Sequence, residues 1–388
     1  MSDIDKPIGY GRDIFLLVMA VLVLLVLFAV VAATQGDYVV SGKGDDGYFW
    51  ASVFYPDYSG IEYLYPNIAF LRLFQNIGFE LLPLYLLNLV LQIALLVILL
   101  RQLRNLCGVN KAELWIFLWV ATSVEILFVT VFFMRDLYIL LCILLIAGTS
   151  RANWIKMLVL TCLALLRPFG LIVSGLLFPI KKVLIAGGVI IAILFSVTSI
   201  DELIKFILMP NAVIAGQNFE IEDVVSARSE RVSEGKSKLS VNTLSTPIFA
   251  PLLMIVRPLV PNKLHDTYVA HNGLTGVVQY RNNFDPYVLW QNLIIPVNCI
   301  YLANLFISLF RGLIKNQGGQ RGNVIIYLFA TTIIAIISGQ GRHHLMISWL
   351  EPVIMSKTYK NSDIRIAKYL TTSLILFSLM MAFFTINA

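Results

Sequence analysis

Residues 81–100 read LLPLYLLNLVLQIALLVILL, twenty residues without a charged side chain. About 20 apolar residues in a helix cross the hydrocarbon core of a bilayer, so this stretch predicts a membrane-spanning helix. The segment that follows it carries Arg101, Arg104 and Lys111. Because cytoplasmic loops carry an excess of lysine and arginine, we expect this span to end on the cytoplasmic side.

The whole chain has the composition of a protein that crosses the bilayer many times. Of its 388 residues, 58% are hydrophobic and 13% are charged, and the mean hydropathy is +0.81. Soluble domains carry about 25% charged residues. We therefore predict an all-α polytopic membrane protein in which residues 1–388 form one integral membrane domain. The net charge of +6 lies mainly in short loops, so membrane topology explains it and no nucleic-acid partner is expected.

The apolar runs predict about eleven spans, some of them short or broken. With the N-terminus in the cytoplasm, every short inner loop is basic, as the positive-inside rule requires. The predicted spans are 14–34, 81–100, 114–133, 137–149, 156–166, 169–180, 183–199, 288–310, 323–338, 345–356 and 369–386.

Two long segments face outside in this topology, at about 35–80 and about 200–287. The first is acidic and rich in tyrosine, and apolar residues at helical spacing in 65–78 predict an amphipathic helix along the membrane surface. The second holds the charged stretch 218–239 and the proline-interrupted apolar stretch 247–261, which indicates a surface or re-entrant piece. Long loops of this kind are often functional.

An acidic pair in the first outer loop is the candidate catalytic group. Asp45 and Asp46 stand between glycines, and Tyr48, Phe49 and Trp50 follow. A carboxylate at the membrane surface can take the proton from an acceptor hydroxyl, and it can also bind a divalent cation, which the sequence leaves open. The same pattern also fits a solvated β-turn beside a belt of interfacial aromatics.

Arginines with a predicted span on each side form the second set of candidates. An ionisable residue between membrane segments is costly and is a functional hypothesis by default. Arg135 with Asp136, Arg167 before Pro168, and Arg342 all fall on the outer side in this topology. Guanidinium binds phosphate through parallel hydrogen bonds, so these residues predict a lipid-phosphate site. The alternatives are a structural pair of Arg135 with Asp136, and an Arg167 that caps carbonyls freed by the proline.

The late segment Arg342-His343-His344 adds imidazoles to this set. Adjacent residues of a helix point about 100° apart, so the two histidines are not expected to share a metal, and no metal site is predicted. A proton shuttle or a hydrogen bond to phosphate fits them better. Glu351 is expected to pair with Arg342 or with a residue of a neighbouring helix.

These motifs, in this order, resemble the GT-C superfamily of polytopic glycosyltransferases. In that family the first transmembrane helix leads into an outer loop with an acidic motif, to which Asp45-Asp46-Gly47-Tyr48-Phe49 is similar. The resemblance implies a polyprenyl-phosphate-linked sugar donor, with Asp45 or Asp46 as the outer base. The later motifs that resemble bacterial surface-polysaccharide proteins of this kind are Phe133-Met134-Arg135-Asp136-Leu137, Leu166-Arg167-Pro168, and Gly341-Arg342-His343-His344-Leu345 with Glu351-Pro352.

The sequence therefore predicts a multi-pass glycosyltransferase of the plasma (inner) membrane, with its active site facing the periplasm. It would transfer a hexose or pentose from the polyprenyl-phosphate donor to a glycan or lipid-linked acceptor in surface-polysaccharide (O-antigen) synthesis. The closest alternative is a Wzy-type polymerase of O-antigen or capsule repeat units, which shares the span plan, the outer arginines and a large outer loop. A flippase for a lipid-linked glycan is disfavoured, because the intramembrane charges cluster on one side and no internal repeat is seen.

Overall fold

A computed structural model describes the larger part of the chain, and within it nearly all regular structure is helical. Three helices are long and apolar enough to cross a membrane, namely Leu81–Cys107, Ile295–Lys315 and the part Ile364–Phe383 of the last helix. These helices indicate a membrane protein. The described residues are 53–54, 66–108, 112–131, 136–148, 153–166, 250–261, 265–271, 278–284, 286–337, 341–360 and 363–387.

The part of the chain that the structure describes contains thirteen α-helices and two β-strands. Short 3₁₀ turns follow α7 and α9, at Arg257–Leu259 and Gln317–Gly319. The helices and strands are α1 (Pro66–Asn76), α2 (Leu81–Cys107), α3 (Ala112–Thr122), α4 (Val124–Val131), α5 (Asp136–Gly148), α6 (Asn153–Leu166), α7 (Ala250–Val256), β1 (His265–His271), β2 (Val278–Phe284), α8 (Pro286–Leu293), α9 (Ile295–Lys315), α10 (Arg321–Ile337), α11 (Gly341–Ser348), α12 (Leu350–Thr358) and α13 (Ile364–Asn387).

The helix predicted at 81–100 is confirmed as α2, and it extends beyond the predicted span. It continues through Arg101 and Arg104 to Cys107, because leucine and arginine are both strong helix formers. Gly108 ends it with a φ of 75°, and its N–H donates to the carbonyl of Arg104. The basic residues expected in the loop 101–112 therefore lie largely on the last turns of a helix.

Three predicted spans are each divided into two helices in the structure. The span 114–133 divides at Ser123 into α3 and α4, the span 288–310 divides at Ile294 into α8 and α9, and the span 345–356 divides at Trp349 into α11 and α12. Two of these breaks precede a proline, Pro296 or Pro352. Proline has no N–H for the carbonyl four residues earlier, and its ring displaces that carbonyl.

Helix α12 occupies the centre of the described core. It packs against α2, α3, α9 and α10, and each of its residues from Leu350 to Met355 is buried. A helical stretch that is covered on all sides must be apolar all round, and Leu350 to Met355 are apolar except for Glu351. Burial of that single carboxylate at the centre of the helix assembly requires polar partners from neighbouring helices.

The two outer segments contain elements that bear on their predictions. Helix α1 falls within the stretch 65–78, and Ile68 and Leu71 are fully buried against the protein while Ile77 is 74% exposed. Part of the apolar face assigned to the membrane surface thus packs on α2. In the second segment, β1 and β2 form an antiparallel hairpin with His265 opposite Phe284. This hairpin is the exception to the all-α prediction within the described residues.

Several predicted features lie outside the described residues. They are the spans 14–34, 169–180 and 183–199, the charged stretch 218–239, and most of the acidic loop 35–80. The count of about eleven spans and the likeness to the GT-C fold therefore stay predictions.

Candidate functional site

A polar cavity of about 180 Å³ lies where the broken helices meet. Its walls come from α3, α4, α7, α8, α9, α11 and α12. Residues on both sides of each of the three breaks line the cavity or hydrogen bond to its wall. Broken helices in membrane proteins are tolerated where they line a cavity or are buried in protein. The breaks and the cavity are thus one structural feature.

Polar side chains satisfy the backbone at the break between α3 and α4. The hydroxyl of Thr122 donates to the carbonyl of Leu118 at 2.6 Å, and Ser123 Oγ accepts from the N–H of Ile126 at 3.4 Å. The indole N–H of Trp290 donates to the carbonyl of Ala121 at 3.3 Å. The first bond lies within α3, and the last satisfies a carbonyl beside the break and joins α8 to the neighbouring span.

Glu351 has partners on two neighbouring helices. The hydroxyl of Tyr301 on α9 donates to Oε2 at 2.8 Å, and the hydroxyl of Tyr327 on α10 donates to Oε1 at 2.7 Å. Of the two alternatives expected for Glu351, the structure shows the residue of a neighbouring helix. Because the carboxylate is only 6% exposed, these two hydroxyls supply the hydrogen bonds that water would otherwise supply.

His344 lies beside this carboxylate and lines the cavity. Its Nε2 is 3.4 Å from Thr331 Oγ1 and 4.0 Å from Glu351 Oε1. Its ring meets the ring of Tyr327 edge-on, with 5.8 Å between the centroids. Thr331, Tyr327, Glu351 and Tyr301 therefore form a connected polar group behind His344, inside an apolar assembly.

Two further hydrogen bonds orient polar groups in the cavity wall. The indole N–H of Trp119 donates to Ser348 Oγ at 3.2 Å, and Nδ2 of Asn298 donates to the carbonyl of Pro258 at 3.2 Å. A carbonyl can only accept, so the amide nitrogen of Asn298 must face Pro258. These bonds hold α11 against α3, and α9 against the turn that follows α7.

Charges of both signs line the cavity. Arg257, in the 3₁₀ turn after α7, is exposed, whereas Glu351 is buried and Glu125 is partly buried. Of these three residues Arg257 is the most exposed and Glu351 the most buried. A ligand with a negative and a neutral hydroxyl-bearing part would match this arrangement.

The structure brings one of the sequence-predicted site residues to this cavity, His344. Asp136 begins α5 and is buried, but it does not line the cavity. Its carboxylate at a helix N-terminus is favourably placed for the helix dipole. The backbone of Arg342 and His343 belongs to α11, and their side chains lie outside the described part. Asp45, Asp46, Arg135 and Arg167 also lie outside the described residues, so their roles stay predictions.

Most residues of the cavity wall are not predictable from the sequence. Glu125 interrupts the apolar run 114–133, and a lone carboxylate in a span is a signal that could have found it. Arg257 was assigned to a surface piece, and Tyr301, Ser348 and Asn298 have no unusual sequence context. Their importance comes from the helices that surround them.

The described residues hold no group of three or more histidine, cysteine, aspartate or glutamate side chains that could bind a metal ion. Comparison of the chain with protein families, with curated proteins and with solved structures finds no match. The function must therefore be argued from the chemistry of the cavity and of the predicted motifs.

Proposed function

We propose that this chain is a membrane glycosyltransferase that moves a sugar from a polyprenyl-phosphate donor to a glycan or lipid-linked acceptor. The observation that carries the proposal is the cavity with Arg257, Glu125, His344 and Glu351 in its wall, among helices that are mainly apolar. Ionisable groups within membrane helices are expensive and mark functional sites.

The chemistry of the wall supports a donor with a phosphate and a sugar. An exposed arginine in the cavity wall is suited to a phosphate at headgroup depth. Carboxylate, amide and hydroxyl groups of the same wall are suited to sugar hydroxyls. In the predicted topology Arg257 belongs to the second outer segment and His344 lies at the outer end of a span, which is the side proposed for Asp45 and Asp46.

The size of the cavity supports transfer of a single sugar over polymerisation of repeat units. Pockets for drug-sized ligands measure about 300–1,000 Å³, and this cavity measures about 180 Å³. A cavity of this size is closer to one monosaccharide unit than to the oligosaccharide that a polymerase must hold. The cavity volume therefore favours the transferase over the Wzy-type alternative.

The proposed reaction exchanges one bond to the anomeric carbon for another. The bond between the anomeric carbon and the phosphate oxygen breaks, and a bond to the acceptor oxygen forms. The acceptor proton passes to the base, Asp45 or Asp46, and the polyprenyl phosphate leaves with the electron pair of the broken bond. Arginine near the phosphate would stabilise the charge on the leaving group.

Mass spectrometry of the surface glycan tests the proposal. A strain without this protein is complemented with wild type, with Arg257→Gln, or with Arg365→Gln as the matched control. Arg365 is exposed on the first turn of α13 and does not line the cavity. We expect the strain without the protein and the Arg257→Gln strain to lack one sugar from every repeat unit, and the control to be complete.

Two other outcomes would reject the transferase. Complete single repeat units without longer chains would identify a polymerase instead. A normal glycan in the strain without the protein would show that the chain acts on neither step. Variant protein levels, measured in the membrane fraction, separate loss of activity from loss of folding.

A further inference from the structure

Four exposed basic side chains surround the turn between α9 and α10. They are Lys315, Arg321, Lys357 and Lys360, and we call them the turn cluster. The first two belong to α9 and α10, and the other two lie at the end of α12 and just after it. The turn and the end of α12 are in contact, since a Cβ added to Gly318 would lie 2.9 Å from the carbonyl oxygen of Lys357.

Acidic side chains do not offset this charge. Residues 301–388 contain two acidic side chains, Glu351 and Asp363, and both are buried. The first accepts from two tyrosine hydroxyls, and the second pairs with Arg311. Glu113 begins α3, which packs against α12, but it pairs with Arg104 at 3.0 Å. Among the described residues, the three lysines of the turn cluster therefore have no carboxylate partner.

Exposed apolar side chains continue from the turn cluster along both helices of the turn. On α10, Arg321, Ile325 and Phe329 are spaced four residues apart, which places them on one face of the helix. Ile325 is 51% exposed and Phe329 is 53% exposed. Phe310 and Ile314, in the last turns of α9, are also exposed. Because α9 is long and apolar enough to cross a membrane, these apolar side chains face acyl chains and the turn cluster lies at headgroup level.

Tertiary structure, and not the sequence of one loop, assembles the turn cluster. The positive-inside rule concerns how many basic residues a loop carries, and any position in the loop satisfies it. Here the segments 315–321 and 357–360 are distant in sequence and meet in the fold. Such a grouping of cations beside lipid-facing helices is suited to an anionic lipid headgroup.

We propose that the turn cluster is a binding site for an anionic phospholipid, such as phosphatidylglycerol or cardiolipin. The headgroup phosphate lies among the four cations, and the acyl chains lie along the exposed apolar side chains of α9 and α10. In the predicted topology this lipid belongs to the cytoplasmic leaflet. The site shares no residue with the cavity wall, so it does not depend on the proposed function.

Native mass spectrometry of the full-length protein, released from detergent with one added lipid, measures the dissociation constants that test this site. The probes are phosphatidylglycerol, cardiolipin, and zwitterionic phosphatidylcholine with the same acyl chains. Each basic residue near an anionic headgroup contributes about fivefold in affinity. With four of them present, phosphatidylglycerol should bind more than about 25-fold tighter than phosphatidylcholine.

A double variant tests the assignment to the turn cluster. Lys357→Gln combined with Lys360→Gln removes two exposed charges and should weaken phosphatidylglycerol binding about 25-fold, with phosphatidylcholine binding unchanged. Arg321 is left in place, because its guanidinium also donates to two carbonyls at the end of α9. The matched control is Arg101→Gln, which removes an exposed basic side chain from α2 on the same predicted side of the membrane. It should leave both affinities unchanged, and the unfolding midpoint of each variant should equal that of wild type.

Three results would overturn the lipid site. Equal binding of phosphatidylglycerol and phosphatidylcholine would show that the headgroup charge is not recognised. An unchanged affinity in the double variant, or an equal loss in Arg101→Gln, would show that the turn cluster is not the place of binding. Glycerophosphoglycerol, which has the headgroup without acyl chains, should bind more weakly than the lipid because it buries less apolar surface; equal affinity would identify a site for a soluble anion instead.

Discussion

Substitution Tyr327→Phe removes one of the two hydroxyls that hold the buried carboxylate of Glu351. Its oxygen lies 2.7 Å from Glu351 Oε1, and Tyr301 serves the other carboxylate oxygen from 2.8 Å. Tyr327 itself does not line the cavity. The substitution therefore tests the internal polar group without removing a group that could touch a ligand.

The expected cost follows from the burial of the carboxylate. Glu351 is 6% exposed, so water cannot replace the lost donor without a rearrangement. Leaving a buried polar group unsatisfied costs about 1–3 kcal/mol, and more when the group is charged. We expect the free energy of unfolding to fall by about 2 kcal/mol, which shifts the ratio of folded to unfolded protein about 30-fold.

A denaturant titration of the purified protein in detergent measures this loss as a lower midpoint at constant slope. Tyr369→Phe is the matched control, because Tyr369 is 77% exposed on α13. In a Glu351→Leu background, Tyr327→Phe should cost almost nothing, since its partner is absent. Equal midpoint shifts in Tyr327→Phe and Tyr369→Phe would contradict this expectation. So would an undiminished loss of unfolding free energy for Tyr327→Phe in the Glu351→Leu background.

Other substitutions test the packing and the predicted base. In Gly312→Ala the new Cβ would lie 2.7 Å from a side chain of α10. The free energy of unfolding should therefore fall by about 1–3 kcal/mol, measured as a lower denaturation midpoint. An unchanged midpoint would show that α9 and α10 can separate. Asp363 is fully buried and pairs with Arg311. Asp363→Asn should therefore lower the free energy of unfolding by about 3–5 kcal/mol in the same titration. A loss smaller than that caused by a substitution at an exposed position would contradict the pairing. Asp45→Asn and Asp46→Asn, made separately, should leave the amount of folded protein unchanged while at least one abolishes sugar transfer in the glycan assay. Full activity in both would end the hypothesis of a carboxylate base.

Much of the helical plan was predictable, because it depends on the length of apolar runs. The helices at 81–100 and 369–386 correspond to α2 and α13, and each is long enough to cross a membrane. The breaks were less predictable. Pro296 and Pro352 are visible in the sequence, but the break at Ser123 has no proline and depends on side-chain caps and on Trp290 from another helix.

The site was predicted only in part, because its residues are distant in sequence. The position of His344 at a span end makes it a candidate site residue, and the sequence predicts that Glu351 pairs with Arg342 or with a residue of a neighbouring helix. The sequence could not indicate that the neighbours are Tyr301 and Tyr327, which are 50 and 24 residues away. Tyrosine is common in membrane proteins, so its residue type alone carries no such signal.

The apolar character of the chain, its helical spans and the positions of its charged segments follow from local composition and from the need to satisfy the backbone within each span. The central place of α12, and the meeting of Glu351, Tyr301, Tyr327 and His344 beside one cavity, depend on how the helices pack. Hydrophobicity cannot specify such contacts because it is not directional. It drives helices into a bilayer and buries their faces, whereas the pairing of one buried carboxylate with two hydroxyls depends on the rotation and depth of each helix against its neighbours.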